Sequence, residues 1–233
     1  MIKQFCFVSR RAEISLADFH SGWAKTVARS RDAPRSARPV RSVVCTTLPD
    51  TPGSDAPHDA VSILTFAELD LLQRCEVWLS EHGLPSDSEI IAPEQTVRVV
   101  AEEVVLRGSD WLAQRWAAGG LKYKHMALAR RALGLSTAEF SARWRSRAGR
   151  IGGSASAPVI EIPRAAKGCA YIQNHPLALP DRDNAYDAIT EVYFDDLGGM
   201  SSRLEFFRDH DPRRADGDLV REACFIVVME ELA

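Results

Sequence analysis

The chain has 233 residues, of which 45% are hydrophobic, 26% charged and 8% aromatic. This composition is that of a globular protein and excludes low-complexity and wholly disordered chains. The 29 Lys and Arg against 32 Asp and Glu give a net charge of −3, so no global field favours nucleic acid or an acidic membrane as a partner. No apolar run approaches the roughly 20 residues that span a bilayer.

The first residues and the cysteines indicate the compartment. Residues 1–8 form a short apolar segment that already carries Lys3, so we expect a first strand rather than a signal peptide. The five cysteines are dispersed and form no Cys-x-x-Cys pair, which is typical of buried free thiols. We therefore expect a cytoplasmic protein.

The sequence repeats itself along its length, and such a repeat decides how the fold is read. Three pairs of segments match in the same order, at offsets of 121, 128 and 128 residues. The pairs are 14–23 with 135–144, 58–66 with 186–194, and 99–103 with 227–231. We predict two copies of one unit, at 1–106 and 121–233, joined by a linker at 107–120.

In chain order, the first copy predicts strands and helices that the second copy then predicts again. The first-copy elements are a strand at 2–9, a helix after Ser15, strands at 40–47 and 60–66, a helix at 67–82 and a strand at 96–106. The second-copy elements are a strand at 122–130, a helix after Ser136, strands at 169–175 and 188–194, a helix at 196–208 and a strand at 222–231. Acidic residues three positions after the two serines, Asp18 and Glu139, favour helix N-termini there. The stretch 152–158 is rich in Gly and Ser, and we expect a mobile loop.

The element order β-α-β-β-α-β is that of the ferredoxin-like unit, an antiparallel sheet with both helices on one face. Two tandem copies can place their sheets against each other. We therefore predict an α+β fold in which two ferredoxin-like repeats pack into an intramolecular α/β barrel, with helices outside and a ligand cavity between the sheets. Strand edges left at the barrel seams would allow a homodimer.

The second copy also carries a characteristic set of residues. They are His125, the helix segment 134–140 with Trp144, the strand segment 173–175 and the segment 186–195. This set resembles the EthD-like family of the dimeric α/β-barrel superfamily. The resemblance implies a cofactor-independent enzyme of aromatic or polyketide-like compounds, since relatives by architecture include lactone isomerases, polyketide cyclases and quinone-forming monooxygenases. The family's usual histidines near the helix tryptophan are replaced here by Val27 and Ala148.

Strand alternation predicts which side chains face the cavity. We assign the bulky Phe5, Phe7, Met126 and Leu128 to the helix side, so that Gln4, Tyr123 and His125 face inward. By the same argument Glu191 and Tyr193 face inward. Tyr171, Gln173 and His175 share one face of another strand.

A histidine beside a carboxylate in a dry cavity can move a proton at carbon. We predict His175, His125 and Glu191 as catalytic residues, with a purely structural role as the alternative for each. The predicted substrate-binding residues are Tyr171, Tyr193, Gln173, Tyr123 and Gln4. Only composition favours a metal site made of the two histidines and Glu191, so we predict no metal and no cofactor.

These residues predict an enzyme that transfers protons on a hydrophobic aromatic or polyketide-like carbonyl compound, as a dehydratase, isomerase or cyclase. One alternative is a cofactor-free monooxygenase of phenolic or quinol substrates. The other is a small-ligand-binding protein without activity, which the missing histidines at positions 27 and 148 favour. The expected partner is a small hydrophobic or aromatic ligand, with no nucleic acid and no membrane.

Overall fold

The computed structural model describes residues 1–48, 51, 57–82, 87–151, 158–179, 184–210 and 217–233. The predicted loop at 152–158 lies outside these ranges except for its last residue. Within the described ranges, no helix is both long and apolar enough to cross a membrane.

The helices and strands follow the predicted order, with bounds that differ by a few residues. The first half contains β1 (Ile2–Val8), α1 (Leu16–Ala28), β2 (Arg41–Thr47), β3 (Ala60–Phe66), α2 (Leu69–His82), α3 (Asp87–Ile90) and β4 (Val97–Arg107). The linker forms α4 (Ser109–Ala118). The second half contains β5 (Lys122–Arg131), α5 (Thr137–Ser146), β6 (Arg150–Ile151), β7 (Ile160–Glu161), α6 (Arg164–Lys167), β8 (Ala170–Pro176), β9 (Ala188–Phe194), α7 (Leu197–Asp209) and β10 (Val220–Leu232).

The two predicted helix caps are present. The side chains of Ser15 and Ser136 accept the backbone N–H groups of Asp18 and Glu139, respectively. At the second helix the Glu139 carboxylate also accepts the Ser136 backbone N–H at 2.9 Å, which completes a capping box. Each serine thereby satisfies a donor that the first turn of its helix would otherwise leave unpaired.

Eight strands close into one antiparallel barrel, which confirms the predicted fold class. Their order is β1-β3-β2-β10-β5-β9-β8-β4, and β4 pairs with β1 to close the ring. The halves meet at two seams, where β2 pairs with β10 and β4 pairs with β8. Since each of these eight strands has two neighbours, the seam edges on which the homodimer was predicted do not exist. A dimer through another surface stays a prediction.

The strand registers show how the two halves correspond. Lys3 pairs with Ala101 in the first half, and Lys124 pairs with Val228 in the second. Ala101 and Val228 are therefore equivalent and lie 127 residues apart, so the sequence match of 99–103 with 227–231 was wrong by one residue. In this register Glu103 corresponds to Glu230; Glu230 is buried, and the side chain of Glu103 is 7% exposed.

The predicted facing of β1 and β5 is wrong. The large apolar residues of these strands pack inside the barrel, in a cluster with residues of the other strands: Phe5, Phe7, Val43, Cys45, Val61, Ile63, Val99, Ala101, Met126, Leu128, Ile189, Ile226 and Val228. Gln4, Tyr123 and His125 consequently lie on the outer, helix-covered face. These apolar side chains and the buried ion pairs of Lys3 and Lys124 with Glu191 and Glu230 fill the space between the sheets, where the cavity was predicted.

Candidate functional site

A cavity lies outside the barrel, between the outer face of the second half's sheet and the helices that cover it. Its volume is about 80 Å³. The lining residues come from the strands of the barrel, from α5, α6 and α7, and from the paired strands β6 and β7 with the residues beside them: Arg107, Ala127, Ala129, Trp144, Arg147, Gly149, Arg150, Ile151, Ile162, Lys167, Tyr171, Thr190, Val192, Arg203, Phe207, Val220, Ala223 and Phe225.

The cavity exists because small residues face the helices in this half. Ala127 and Ala129 occupy β5 where the first half has Cys6 and Val8 at the equivalent positions of β1. In the first half these larger side chains pack with Trp23 and the residues of α2 in a continuous apolar cluster. The two halves therefore share a backbone arrangement but differ in what the layer beneath the helices can hold.

Aromatic side chains form one wall of the cavity, and His125 lies against that wall. Its ring stacks on Phe225 and Phe207, with centroid separations of 5.2 and 5.8 Å. Phe207, Phe225 and Trp144 line the cavity, whereas His125 is not among the lining residues. Such a wall favours a flat, aromatic ligand.

His125 holds a buried arginine in place. The Nε–H of Arg203 donates to His125 Nδ1 at 3.1 Å, and Nη1 donates to the Ala166 carbonyl at 2.9 Å. Because Nδ1 accepts, the neutral imidazole carries its proton on Nε2. Burial and the neighbouring Arg203 hold the pKa of His125 well below its ordinary value. Burial lowers the pKa of Arg203 to about 10, which still leaves the guanidinium charged at neutral pH.

Tyr171 supplies a hydroxyl group to the same cavity. Gln173 donates from Nε2 to the Tyr171 hydroxyl oxygen and to the Trp144 carbonyl, both at 3.1 Å. Burial raises the pKa of Tyr171, so the phenol stays protonated. With its oxygen already accepting from Gln173, its O–H is left as a donor.

The charged residues among the described lining residues of the cavity are all basic. Five of its described lining residues are basic and none is Asp or Glu. Arg147 lies 3.5 Å from the carboxylate of Asp218, and Arg107 donates to the Lys167 and Gly168 carbonyls. The arrangement can therefore hold an aromatic body and stabilise negative charge on it.

His175 is not part of this constellation. It lies on the outer face of β8 at the β4–β8 seam, paired in register with Glu102, and does not line the cavity. Burial and then Arg145 lower its pKa, which Glu102 opposes. Within the described part of the chain neither ring nitrogen has a hydrogen-bond partner.

Glu191 does face inward as predicted, but it is bound by lysines and does not pair with a histidine. Its carboxylate accepts from Lys3 and Lys124 at 2.6 Å each and from Asn174 at 3.1 Å. Burial alone would raise the pKa of Glu191, and the two lysines outweigh it and hold this pKa well below the ordinary range. A proton-transfer pair of Glu191 with His125 or His175 is therefore wrong, because the barrel wall separates them.

The remaining predicted binding residues are also accounted for. Tyr193 donates to Glu191 at 3.2 Å inside the barrel and lies outside the cavity. Gln4 donates to Glu76 at 2.5 Å in the first half, and Tyr123 packs beside Phe194. Of the eight predicted site residues, Tyr171 alone lines the cavity, while Gln173 and His125 contact residues that do.

Sequence reasoning missed Arg203, although a signal was present. Arg203 follows Met200 by three residues and precedes Phe207 by four, so all three share one helix face. Met200 and Phe207 indicate that this face is the buried one. A charged residue on an apolar helix face is a departure that points to a functional site.

The closed barrel with external helices is an intramolecular α/β barrel, and each half contributes the β-α-β-β-α-β element order of a ferredoxin-like unit. No family model matches the sequence, and no curated protein matches it at a significant level. Among solved structures, an anthrone oxidase-like protein is similar with 14% identity and a TM-score of 0.54, over 100% of this chain and 92% of that chain. A candidate monooxygenase from Fusobacterium nucleatum is similar with 8% identity and a TM-score of 0.50, over 99% of this chain and 91% of that chain. At such identities the likeness shows the fold alone.

Proposed function

We propose that the chain is a cofactor-free oxygenase of a phenolic or quinol-type aromatic compound bound in the cavity of the second half. The observation that carries the proposal is the cavity itself, with an aromatic wall, the Tyr171 hydroxyl and basic side chains, and no carboxylate among its described lining residues. The names of two proteins with a similar fold, a candidate monooxygenase and an anthrone oxidase-like protein, are compatible with this chemistry.

The proposed reaction balances without an added reductant. A phenol with a free para position and O₂ give a para-quinone and water, with one oxygen atom in the new carbonyl and the other in water. The ring supplies the four electrons. The deprotonated phenol is the electron-rich form that can reduce O₂, and Arg203 and Tyr171 would stabilise its oxygen by donating to it.

The same cavity supports proton-transfer chemistry less well. A dehydratase or isomerase needs a base positioned at the substrate carbon. Glu191 lies inside the barrel, His175 lies away from the cavity, and His125 Nδ1 already accepts from Arg203. An oxygenase whose substrate ionises in water needs no such base.

The lack of a positioned base also favours a second candidate, a protein that binds an aromatic ligand without converting it. Oxygen consumption separates the two. We expect anthrone or alpha-naphthol to cause O₂ uptake matched by quinone absorbance with the purified chain, and we expect Ala127→Leu, which fills the cavity, to abolish both. Unchanged compound after prolonged incubation, with no O₂ uptake, would leave the binding protein as the function.

We further propose that the second half is related to the EthD-like family. Support comes from the residues quoted for that resemblance, since Phe140 and Trp144 stack at 5.6 Å and Gln173 donates to the Trp144 carbonyl. A set of homologous sequences tests this relationship. If the relationship holds, substitutions at Trp144, Gln173 and His125 occur together with substitutions of the residues that line the cavity. If these three positions vary independently, the proposed relationship fails.

A further inference from the structure

Arg203 is a buried cation without a counter-charge in the described part of the chain. The residue is 6% exposed, and its two hydrogen bonds go to neutral acceptors, the His125 ring and the Ala166 carbonyl. Removing a charge from water costs several kcal/mol unless a partner compensates it. A protein retains such a group where a ligand or a reaction needs it.

Of the three other buried cations in the described part of the chain, two are compensated by carboxylates at contact distance. Lys3 lies 2.6 Å from both Glu103 and Glu191, and Lys124 lies 2.6 Å from Glu191 and 2.5 Å from Glu230. The third, Lys122, donates to the Gly120 carbonyl at 3.0 Å. Among the buried cations of the described residues, Arg203 is the one that lines the cavity. The first half has Cys75 at the corresponding position of α2, so the charge belongs to the second half alone.

We propose that Arg203 makes the cavity selective for the anionic form of an aromatic ligand, whose deprotonated oxygen supplies the missing counter-charge. This inference rests on the proposed function for the location of the substrate and adds the ligand's charge state and the residue that selects it. The ligand class is an acidic phenol or enol with an apolar ring body. A neutral ring of the same shape fills the cavity but leaves the guanidinium unpaired.

His125 is the positioning residue for this guanidinium. Its neutral ring, stacked between Phe207 and Phe225, presents Nδ1 to Arg203 Nε. The carbonyl of Ala166, at the centre of α6, fixes Nη1. The guanidinium is therefore held at two of its nitrogens before any ligand binds, which reduces the ordering cost of binding.

The test compares two probes that differ by one proton-bearing group, para-nitrophenol and its methyl ether para-nitroanisole. The phenolate of the first absorbs visible light, so titration of the bound dye reports its pKa directly. We expect saturation with the protein to lower the apparent pKa of para-nitrophenol by about one unit or more, which is a tenfold preference for the anion. Para-nitroanisole should bind more weakly than the anion and with no pH dependence from the dye.

Three variants assign the effect to Arg203. Arg203→Met should remove most of the pKa lowering of the dye, leaving what the other basic lining residues Arg107, Arg147, Arg150 and Lys167 contribute. It should change para-nitroanisole affinity less than about threefold, and Arg203→Lys should retain more of the lowering than Arg203→Met. Arg208→Gln removes an exposed arginine of the same helix and should behave as the unchanged protein. His125→Leu should weaken anion binding, and His125→Asn, which keeps an acceptor near the Nδ1 position, should restore part of it.

The outcomes separate this inference from the proposed function. A bound dye with an unchanged or raised pKa, no binding of para-nitrophenol, or unaltered anion preference in Arg203→Met would each overturn the inference. Anion selectivity without O₂ uptake from any phenol would leave the inference standing and remove the oxygenase. O₂ uptake at the full rate in Arg203→Met would overturn the inference and leave the oxygenase standing.

Discussion

Lys3 donates a 2.6 Å hydrogen bond to Glu191, a residue 188 positions later in the chain, at the centre of the barrel. Lys124, the equivalent of Lys3 in the second half, donates to the other oxygen of the same carboxylate. The equivalent of Glu191 in the first half is Ile63. A single carboxylate, present in the second half alone, therefore binds two lysines at equivalent positions of the two halves. These contacts hold the two halves in one register and give Glu191 a structural role.

Glu191→Gln should destabilise the chain strongly, because it leaves two buried ammonium groups short of a partner. Removing one member of a buried ion pair costs about 3–5 kcal/mol. Chemical denaturation, read as the free energy of unfolding, measures this loss. Glu222→Gln is the matched control, since Glu222 is exposed on β10, and it should change stability by less than about 0.5 kcal/mol. A stable Glu191→Gln protein that has lost only its activity would return Glu191 to a catalytic role.

The element order and the helix caps could be predicted from the sequence because they depend on local patterns repeated in both halves. The facing of β1 and β5 could not. In a closed barrel covered by helices both faces of a strand are buried, and all seven residues of β3 and of β9 are buried. Alternation of apolar and polar residues, which normally identifies the inner face, is then lost.

The candidate site was less predictable, because its members meet through tertiary contacts. The sequence around Glu191 does not predict its contact with Lys3. The sequence around His125 does not predict its contact with Arg203, 78 residues later. A His and a Glu on neighbouring strands suggested a pair, but β5 places His125 outside the barrel and β9 places Glu191 inside it. Which two side chains meet therefore depends on which face of each strand points into the barrel, and the sequence did not determine this.

His125 should make the stability of the chain fall in mild acid. Its pKa is held well below the ordinary value by burial and Arg203, so between that lowered pKa and about 6.5 the unfolded chain binds a proton that the folded chain does not. Stability is then complete above about pH 6.5 and declines as the pH falls, by up to about 1.4 kcal/mol per pH unit. In both His125→Asn and His125→Leu, the free energy of unfolding should depend less steeply on pH, by the contribution of one proton. Denaturation at several pH values measures this slope.

The difference between the two His125 variants isolates the hydrogen bond to Arg203. His125→Leu leaves the Arg203 Nε–H without an acceptor and should be less stable than His125→Asn by about 1–3 kcal/mol at neutral pH. If both variants kept the full acid slope, another group would be the source. Subtraction from the unchanged protein removes the contributions of the other histidines, which are common to all three.

Two alanines of the barrel, one on β5 and one on β4, should respond differently to enlargement. Ala127 faces the cavity, and Ala101 faces the packed interior. Ala127→Leu grows into empty space and should leave the melting temperature nearly unchanged while abolishing binding of para-nitroanisole. Ala101→Leu should cost about 1–3 kcal/mol through overpacking and leave ligand affinity intact in the folded fraction. Equal destabilisation by the two substitutions would show that the cavity is not open space.

Gly108 determines how the linker helix leaves β4, and its replacement should be costly for two reasons. Its φ is +79°, a left-handed conformation that side chains rarely adopt, and a Cβ there would lie 2.7 Å from Ala170 Cα and closer still to the Cys169 carbonyl. Gly119, at the other end of α4, has a φ of +68° but no atom within 4 Å of an added Cβ. With ψ at −153°, Gly119 also has a backbone conformation that side chains rarely adopt, so Gly119→Ala carries a backbone cost of about 1–3 kcal/mol, whereas Gly108→Ala must in addition displace the backbone of β8. We expect Gly108→Ala to lower the free energy of unfolding clearly more than Gly119→Ala.

Because β8 carries Tyr171 and Gln173, Gly108→Ala should also weaken binding of para-nitroanisole in the folded protein, while Gly119→Ala should not. Equal losses in the two variants would mean that the close approach of Gly108 to β8 does not constrain the cavity wall.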